Sequence, residues 1–395
     1  MNEFISKLLR PEIQEFIRSN EQADIRQLVL NQRDVYGVPV AWVAQQIQGR
    51  KKAKEKLPQW YATPGIVYPP ALALEQCSSE ITARYKQGLV SGHHSVDLTG
   101  GLGVDTLHFS RRFEMTEYVE PDDALLHLAR HNLPLLGATN VNFHHHRGED
   151  FLQFHSAVYD FLYLDPSRRI ESRKVVKLKD CHPDVVNLQP TLLKQAQHVL
   201  IKASPLLDLK QASRELRSID QFIVLSNAGE CKELLISLRR ENAGEPTIHA
   251  VDLDRDGDPT TFAFTWKQES DAMVEFSEPQ TFLYEPNPAL MKAGAFKLIG
   301  QHFSLAKLGP DTHLYTSNEK VDAFPGRVFR VIEEVALDKE VKTHFLSGFA
   351  NILTRNYPLT VQEILRKTGL KEGGERYLIC GKTRKHVVLV ADRLR

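Results

Sequence analysis

The sequence VDLTGGLGVD, residues 96–105, decides the fold. It has the pattern of a β-strand that ends in an acid, Asp97, followed by a glycine-rich turn and the start of a helix. A turn of this kind lets the backbone approach a ligand closely and directs the amides at the helix start toward it. The stretch therefore predicts a site for a dinucleotide or a methyl donor, or else a tight turn with a structural role only.

Acidic residues also follow the three strands predicted after this one. Glu120 ends the second strand about 20 residues further on, where a carboxylate can accept hydrogen bonds from both hydroxyls of a ribose. Asp150 follows the third strand and suits the amino group of an adenine. Asp165 follows the fourth strand, in DFLYLDPSRR, residues 160–169. Because ligands of open α/β sheets bind outside the carboxyl ends of the strands, we expect these acids to form one site.

Short β-branched runs alternate with helical stretches from about residue 71 onward, which is typical of a parallel α/β sheet. Seven runs predict strands, at 94–98, 116–120, 140–145, 159–165, 198–203, 222–226 and 233–238. A hairpin is expected at 250–266, where alternating residues flank Asp256 and Gly257.

Together these stretches resemble a class I S-adenosylmethionine-dependent methyltransferase, whose fold is a Rossmann-like seven-stranded α/β sheet. Asp97, Gly101 and Gly103 match the acid and glycines of the family's first motif, and Thr99 replaces the first glycine. The resemblance implies S-adenosylmethionine as the cofactor. The donor-binding residues that it implies are Asp97, Thr99, Gly100, Gly101, Gly103, Glu120, Asp150 and Asp165. A dinucleotide fits less well, because the turn lacks the full GxGxxG spacing.

The fourth motif of this family carries the reaction. The catalytic residues that the resemblance implies are Asp165, Pro166, Ser167 and Lys202. Methyltransferases that act on base amines have Asp/Asn-Pro-Pro-aromatic at this place, whereas this chain has DPSR, residues 165–168. RNA methyltransferases with DPPR use a cysteine after the fifth strand to methylate carbon five of uracil, and LIKASPLLD, residues 200–208, contains none.

Two further features bear on the site, one on the acceptor and one on the donor pocket. Ribose 2′-O methyltransferases use a Lys-Asp-Lys-Glu set, for which the candidates are Lys86, Asp165, Lys202 and Glu233. A helix predicted over 71–86 either forms the near wall of the donor pocket, with Gln76, Ser78 and Ser79, or is only an amphipathic helix. The methylated atom stays open between a base amine, a base carbon and a ribose oxygen.

The 395 residues divide into four predicted domains. They are an N-terminal helical domain at 1–65, helical throughout to about residue 58, a class I methyltransferase domain at 66–275, a small ferredoxin-like α+β module at 276–323 and a THUMP-like domain at 324–395. Over most of its length the chain resembles a group of bacterial proteins with a methyltransferase domain and these two modules, in stretches such as EQCSSEITARYK and FPGRVFRV. THUMP domains bind RNA in several RNA-modifying enzymes, so the resemblance implies an RNA partner.

The charges are unevenly distributed although the net charge is zero. The net charge is +3 over residues 1–65, −9 over 66–323 and +6 over 324–395. Basic flanks around an acidic catalytic domain suit a polyanion, because phosphate contacts supply most of the sequence-independent affinity for nucleic acid. The basic run at 50–56 is either a phosphate-facing patch or a solvated helix end. Two alternatives remain, a non-catalytic RNA-binding protein that keeps the domain as a scaffold, and a methyltransferase for a protein or a small molecule.

The remaining features concern location and metals. No stretch approaches the ~20 consecutive apolar residues of a membrane helix, and the first residues mix acids and bases, so we predict a cytoplasmic protein without a membrane partner. The four cysteines lie far apart without a CxxC pair, which argues against a disulfide framework or a structural zinc site. The histidines at 144–146 alternate between the two faces of a predicted strand, so we expect no metal there. The oligomeric state stays open.

Overall fold

The computed structural model describes residues 2–168, 177–242 and 244–394. Arg169, the last residue of the DPSRR stretch, lies outside these ranges. The chain forms two compact units. The first contains residues 1–222, 233–245 and 255–258, and the second contains residues 223–232, 246–254 and 259–395.

The N-terminal part of the first unit is helical and contains one short hairpin. Its elements are α1 (Asn2–Leu8), α2 (Pro11–Ser19), α3 (Ile25–Asn31), β1 (Asp34–Val35), β2 (Val38–Pro39), α4 (Val40–Lys56) and α5 (Pro58–Ala62). The prediction of helix throughout residues 1–58 is wrong at the hairpin. Tyr36 and Gly37 have positive φ angles of 49° and 75°, and Asp34 Oδ1 accepts the Gly37 N–H at 3.0 Å. This turn geometry cannot continue a right-handed helix.

Helices and strands alternate through the rest of the first unit. They are α6 (Ala71–Gln76), α7 (Glu80–Gln87), β3 (Gly92–Asp97), α8 (Val104–Ser110), β4 (Phe113–Val119), α9 (Asp123–Leu135), β5 (Val141–His144), α10 (Gly148–Phe154), β6 (Tyr159–Leu164), β7 (Ser167–Arg168), a 3-10 helix (Leu178–Asp180), β8 (Cys181–His182), α11 (Val185–Gln195), β9 (Ala196–Ala203), α12 (Leu209–Glu215), β10 (Ile219–Asn227) and β11 (Glu230–Arg239). All seven predicted strands are present, as β3, β4, β5, β6, β9, β10 and β11. The last two also contribute residues to the second unit.

The sheet strands that lie wholly or partly in the first unit follow one another in the order β10-β11-β9-β6-β3-β4-β5. The strands β9, β6, β3, β4 and β5 are parallel, and β11 is antiparallel to β9. The strand order changes direction at β3, with β4 on one side and β6 on the other. In an open α/β sheet such a switch point, at the carboxyl ends of the strands, is where ligands bind. The topology therefore brings the ends of β3, β4 and β6 to one site.

The second unit is an α+β structure. Its further elements are β12 (Thr247–Leu253), β13 (Pro259–Phe264), α13 (Trp266–Asp271), β14 (Phe282–Pro286), α14 (Pro288–Ala293), α15 (Leu298–His302), β15 (Ala306–Gly309), β16 (Thr312–Ser317), β17 (Gly326–Glu334), a 3-10 helix (Lys339–His344), β18 (Phe349–Thr354), α16 (Val361–Thr368), β19 (Lys371–Lys382) and β20 (His386–Arg393). The predicted hairpin is confirmed, since β12 and β13 pair antiparallel. A seven-stranded sheet has the order β15-β16-β14-β17-β20-β19-β18. Only the pair of β18 with β19 is parallel among the described pairs of this sheet.

Two general features concern the whole described chain. None of its described helices is both long enough and apolar enough to span a bilayer. No disulfide joins any of the cysteines in the described ranges.

Candidate active site

The glycine-rich loop between β3 and α8 can be formed only with glycines at several positions. Gly101 and Gly103 have φ angles of 55° and 80°, a region that side chains disfavour. A Cβ atom on Gly100 would lie 2.2 Å from the ring of Tyr118. The Gly103 N–H donates to the carbonyl of Gly100 at 2.8 Å, which closes the turn before α8 begins. The backbone here lies tightly against Tyr118 of β4.

Asp97, at the end of β3, is buried beneath this loop. Its Oδ2 accepts the hydroxyl of Thr106 at 2.6 Å, and its Oδ1 accepts the backbone N–H of Thr99 at 3.0 Å. Burial raises the pKa of Asp97 to about 7, because a desolvated carboxylate is disfavoured, and these hydrogen bonds only partly offset the effect. Asp97 therefore changes its charge near neutral pH.

Glu120 connects the end of β4 to the same loop. Its Oε2 accepts the N–H of Gly101 at 2.8 Å, and its Oε1 accepts the N–H of Asp122 at 2.8 Å. Burial raises the pKa of this carboxyl group. A carboxylate that already holds the loop backbone keeps further lone pairs for two hydroxyl donors, so its position suits the ribose role implied by the sequence.

Asp150 lies in the first turn of α10, after β5, and is exposed. The start of this helix is close to the loop after β3, since a Cβ on Gly148 would lie 2.9 Å from the carbonyl oxygen of Leu98. The side chain of Asp150 makes no hydrogen bond to another described residue. The fold therefore brings it to the predicted edge and leaves its carboxylate available.

Asp165 follows β6 and forms an ion pair with Lys202 of β9. The side chain of Asp165 is 36% exposed, whereas that of Lys202 is 12% exposed. Burial favours the neutral amine of Lys202, but the charges of neighbouring carboxylates, foremost that of Asp165, outweigh it and hold the pKa of Lys202 above its usual range. Lys202 therefore carries a proton at neutral pH.

Ser167, in β7, donates its hydroxyl to the carbonyl of His182 at 3.2 Å.

A buried ionic cluster lies next to this pair. Lys86 is fully buried, and its Nζ lies 2.8 Å from Asp105 Oδ1 and 2.9 Å from Glu233 Oε2. The same ammonium donates to the Ser78 hydroxyl at 2.7 Å, and Tyr163 donates to Asp105 Oδ2 at 2.8 Å. Both carboxylates lie within ion-pair distance of this one ammonium, as a buried charge requires.

The structure thus brings together the residues of the Lys-Asp-Lys-Glu set as two ion pairs, Lys86 with Glu233 and Lys202 with Asp165. The sequence did not indicate that Asp105 and Tyr163 join them. The only hint for Asp105 in the sequence is that it is an acid within the motif at 96–105. The structure shows that every residue of its helix, α8, is buried. Ser78 takes part in the ionic cluster, and Ser79 caps α7 by accepting the Thr82 N–H.

Replacing Lys86 by methionine is expected to lower the free energy of unfolding by about 3–5 kcal/mol, because Asp105 and Glu233 would stay buried without a cation. Urea denaturation at pH 7 measures this change. The control is Lys7→Met, which removes an exposed ion pair with Glu3 and should leave the midpoint unchanged. Equal midpoints for both variants would show that the cluster does not contribute to stability.

The predicted basic run and the histidines have local partners. Lys52 forms an ion pair with Glu75, and the Lys56 Nζ donates to the carbonyls of Leu74 and Glu75 at 2.8 and 2.7 Å. These lysines hold α4 against α6. His144 Nε2 lies 2.6 Å from Glu117 Oε2. Within the described ranges, no group of three or more His, Cys, Asp or Glu side chains is arranged to hold a metal ion.

Two family models match the C-terminal region of the chain, and several relatives match most of its length. Residues 282–325 match a family described as a ferredoxin-like domain, and residues 326–393 match a family described as THUMP domain-like. A crystal structure of a protein described as a “putative methyltransferase”, from Porphyromonas gingivalis W83, is 31% identical to this chain in sequence, with a TM-score of 0.86 over 99% of both chains. Uncharacterized S-adenosylmethionine-dependent methyltransferases from two strains of Mycobacterium tuberculosis are 23% identical over 356 residues, which is 85% of this chain and 91% of theirs.

Proposed function

Because this chain belongs to the class I S-adenosylmethionine-dependent methyltransferases that carry ferredoxin-like and THUMP-like domains, we propose that it methylates structured RNA, such as rRNA or tRNA, in the cytoplasm. The observation that carries the RNA assignment is the THUMP domain-like match at 326–393. The net charge of +6 over residues 324–395 supports it, since basic surfaces attract the phosphate backbone.

The donor would be held by the loop between β3 and α8. A Cβ on Gly101 would meet no atom closer than the carbonyl oxygen of Thr99, at 3.8 Å, so this glycine borders open space. Glu120 would accept the ribose hydroxyls, Asp97 would face the cationic part of the donor, and Asp150 would accept the adenine amino group. When bound, S-adenosylmethionine supplies a methyl group that its sulfonium already activates.

The acceptor would lie against Asp165, Pro166 and Ser167. Asp165 is the partly exposed member of the pair with Lys202, so its carboxylate can accept a hydrogen bond from the acceptor group. Burial raises the pKa of Asp165, and the protonated Lys202 opposes this effect and orients the carboxylate through the ion pair. Most of the catalytic effect would then come from holding the acceptor in line with the donor, which converts a bimolecular reaction into one between aligned groups.

Donor affinity is expected to fall about tenfold between pH 8 and pH 6, because Asp97, with a pKa of about 7, loses the charge that attracts a cationic donor. The fall follows from the sign of the shift, since the ionised form predominates above pH 7 and the neutral form below it. Isothermal titration at pH 6, 7 and 8 measures it. An Asp97→Asn variant should bind weakly at every pH. If that variant kept the wild-type pH dependence, the titrating group would not be Asp97.

The proposed function is tested with tritium-labelled S-adenosylmethionine and total RNA from bacteria that lack the gene for this protein. We expect label in RNA that ribonuclease releases and protease does not, and digestion to nucleosides followed by mass spectrometry identifies the methylated atom. Label in protein or in small molecules would replace RNA as the acceptor class. Donor binding without any transfer would reopen the question of the acceptor class, and absence of donor binding would favour the non-catalytic RNA-binding protein.

A further inference from the structure

Thr99 stands where the first methyltransferase motif has its first glycine, and the structure gives this side chain a specific partner. Its Oγ1 accepts the backbone N–H of Asp165 at 2.7 Å. We propose that the Thr99 hydroxyl is a positioning group that couples the donor loop, residues 98–103, to the acceptor loop, residues 165–167. Asp165 would then be correctly placed only when the donor loop is in its observed position. This inference rests on the proposed roles of the two loops and extends them to a residue that glycine could not replace.

The contacts form a continuous chain from one loop to the other. The Thr99 backbone N–H donates to Asp97 Oδ1 at 3.0 Å, and the Thr99 hydroxyl lies 3.5 Å from the same oxygen. On the other side, Asp165 forms the ion pair with Lys202. The path therefore runs from the buried acid under the donor loop, through the Thr99 side chain, to the pair that faces the acceptor.

The register of the sheet explains why a hydroxyl is needed at this place. The Leu98 N–H donates to the carbonyl of Tyr163 at 3.0 Å, and β6 ends one residue later, at Leu164. The Asp165 N–H is thus the first amide beyond the strand, and Thr99 Oγ1 is its acceptor. Without this oxygen the amide would have to find water or remain unsatisfied, and either change would free the start of the acceptor loop.

Thr99→Val tests the proposal because valine keeps the β-branched shape and loses only the hydroxyl. Residue 99 would contribute to the donor site through its backbone, and its backbone bond to Asp97 does not depend on the side chain, so donor affinity in calorimetry should stay within about threefold of the wild type, well below the expected loss of rate. The kcat for RNA labelling should fall about 10- to 100-fold, since a small displacement of a positioning group is costly to a well-aligned reaction. Thr99→Ser, which restores the hydroxyl, should recover most of the lost rate.

A matched control and an independent readout separate this proposal from a general loss of stability. Thr116→Val also removes a hydroxyl hydrogen bond between neighbouring strands, at 2.9 Å from Ser95, and should leave kcat unchanged. Hydrogen exchange of the full chain should show faster exchange at the Asp165 amide in Thr99→Val, by at least about tenfold, and unchanged exchange there in Thr116→Val.

Results that would overturn the Thr99 coupling differ from results that would overturn RNA methylation as the function. Wild-type rates in Thr99→Val, or equal losses of kcat and donor affinity, would overturn the coupling. Unchanged exchange at Asp165 would overturn it too, and this readout needs no acceptor. Absence of RNA labelling by the wild type would overturn the proposed RNA function instead, and the exchange result would then decide the Thr99 contact by itself.

Discussion

Replacing Gly101 by arginine is expected to abolish donor binding, with an affinity loss of at least about 100-fold, equivalent to about 3 kcal/mol. Gly101 has a φ angle of 55°, its N–H donates to Glu120, and the space beside it is open. A long side chain there would fill the space proposed for the donor and disturb the bond to Glu120. Isothermal titration with S-adenosylmethionine measures the loss.

Gly137→Arg is the matched control for this variant. Gly137 also has a positive φ angle, of 93°, and a Cβ there would meet nothing within 4 Å. Both variants therefore introduce the same side chain into a backbone that disfavours it, but only Gly101 lies in the donor loop. We expect wild-type affinity for Gly137→Arg. Wild-type affinity for Gly101→Arg would mean that the donor does not bind at this loop.

Asp165→Ala is expected to remove methyl transfer while leaving donor affinity within about tenfold of the wild type. The loss of rate should reach at least about 10²-fold, the lower range for removing a group that exchanges a proton or hydrogen bond with a reacting atom. Asp165→Asn removes the charge but keeps the shape of the side chain and an oxygen that can accept a hydrogen bond from Lys202, so it guards against misfolding caused by an empty space beside Lys202. Single-turnover transfer of tritiated methyl to RNA provides the rate.

The control for Asp165 is another aspartate of the first unit that pairs with a basic side chain. Asp220 lies 3.8 Å from Arg239, and neither residue has a proposed role in binding the donor or the acceptor. Asp220→Ala should retain both donor binding and turnover. If Asp165→Ala and Asp165→Asn also retained turnover, Asp165 would have no part in the reaction.

The sequence was sufficient to predict the sheet and the donor loop because both depend on local patterns. Strands favour β-branched and aromatic residues, and all seven runs that the sequence predicts as strands form strands. The glycine-rich turn needs positive φ angles and a close approach to β4, and at Gly100 and Gly101 the structure requires glycine for these reasons. The edge position of the acids follows from the rule for open α/β sheets.

Contacts between residues far apart in the sequence were harder to predict. Lys86 and Glu233 are separated by 147 positions, and only the antiparallel register of β9 and β11, with Leu235 opposite Lys202, brings Glu233 close to the site. Asp105 was part of the quoted motif, but no local pattern shows that it pairs with Lys86. The bond from Asp165 to Thr99 depends in the same way on where β3 and β6 end.

The central claim is that donor and acceptor meet where β3, β4 and β6 end. A crystal structure of the full chain with S-adenosylhomocysteine tests it most directly. We predict ribose hydroxyls within hydrogen-bond distance of the Glu120 carboxylate, the nucleoside along residues 99–103, and the sulfur atom on the side of Asp165. A ligand bound away from this loop, or a site that stays empty at saturating ligand, would contradict the account.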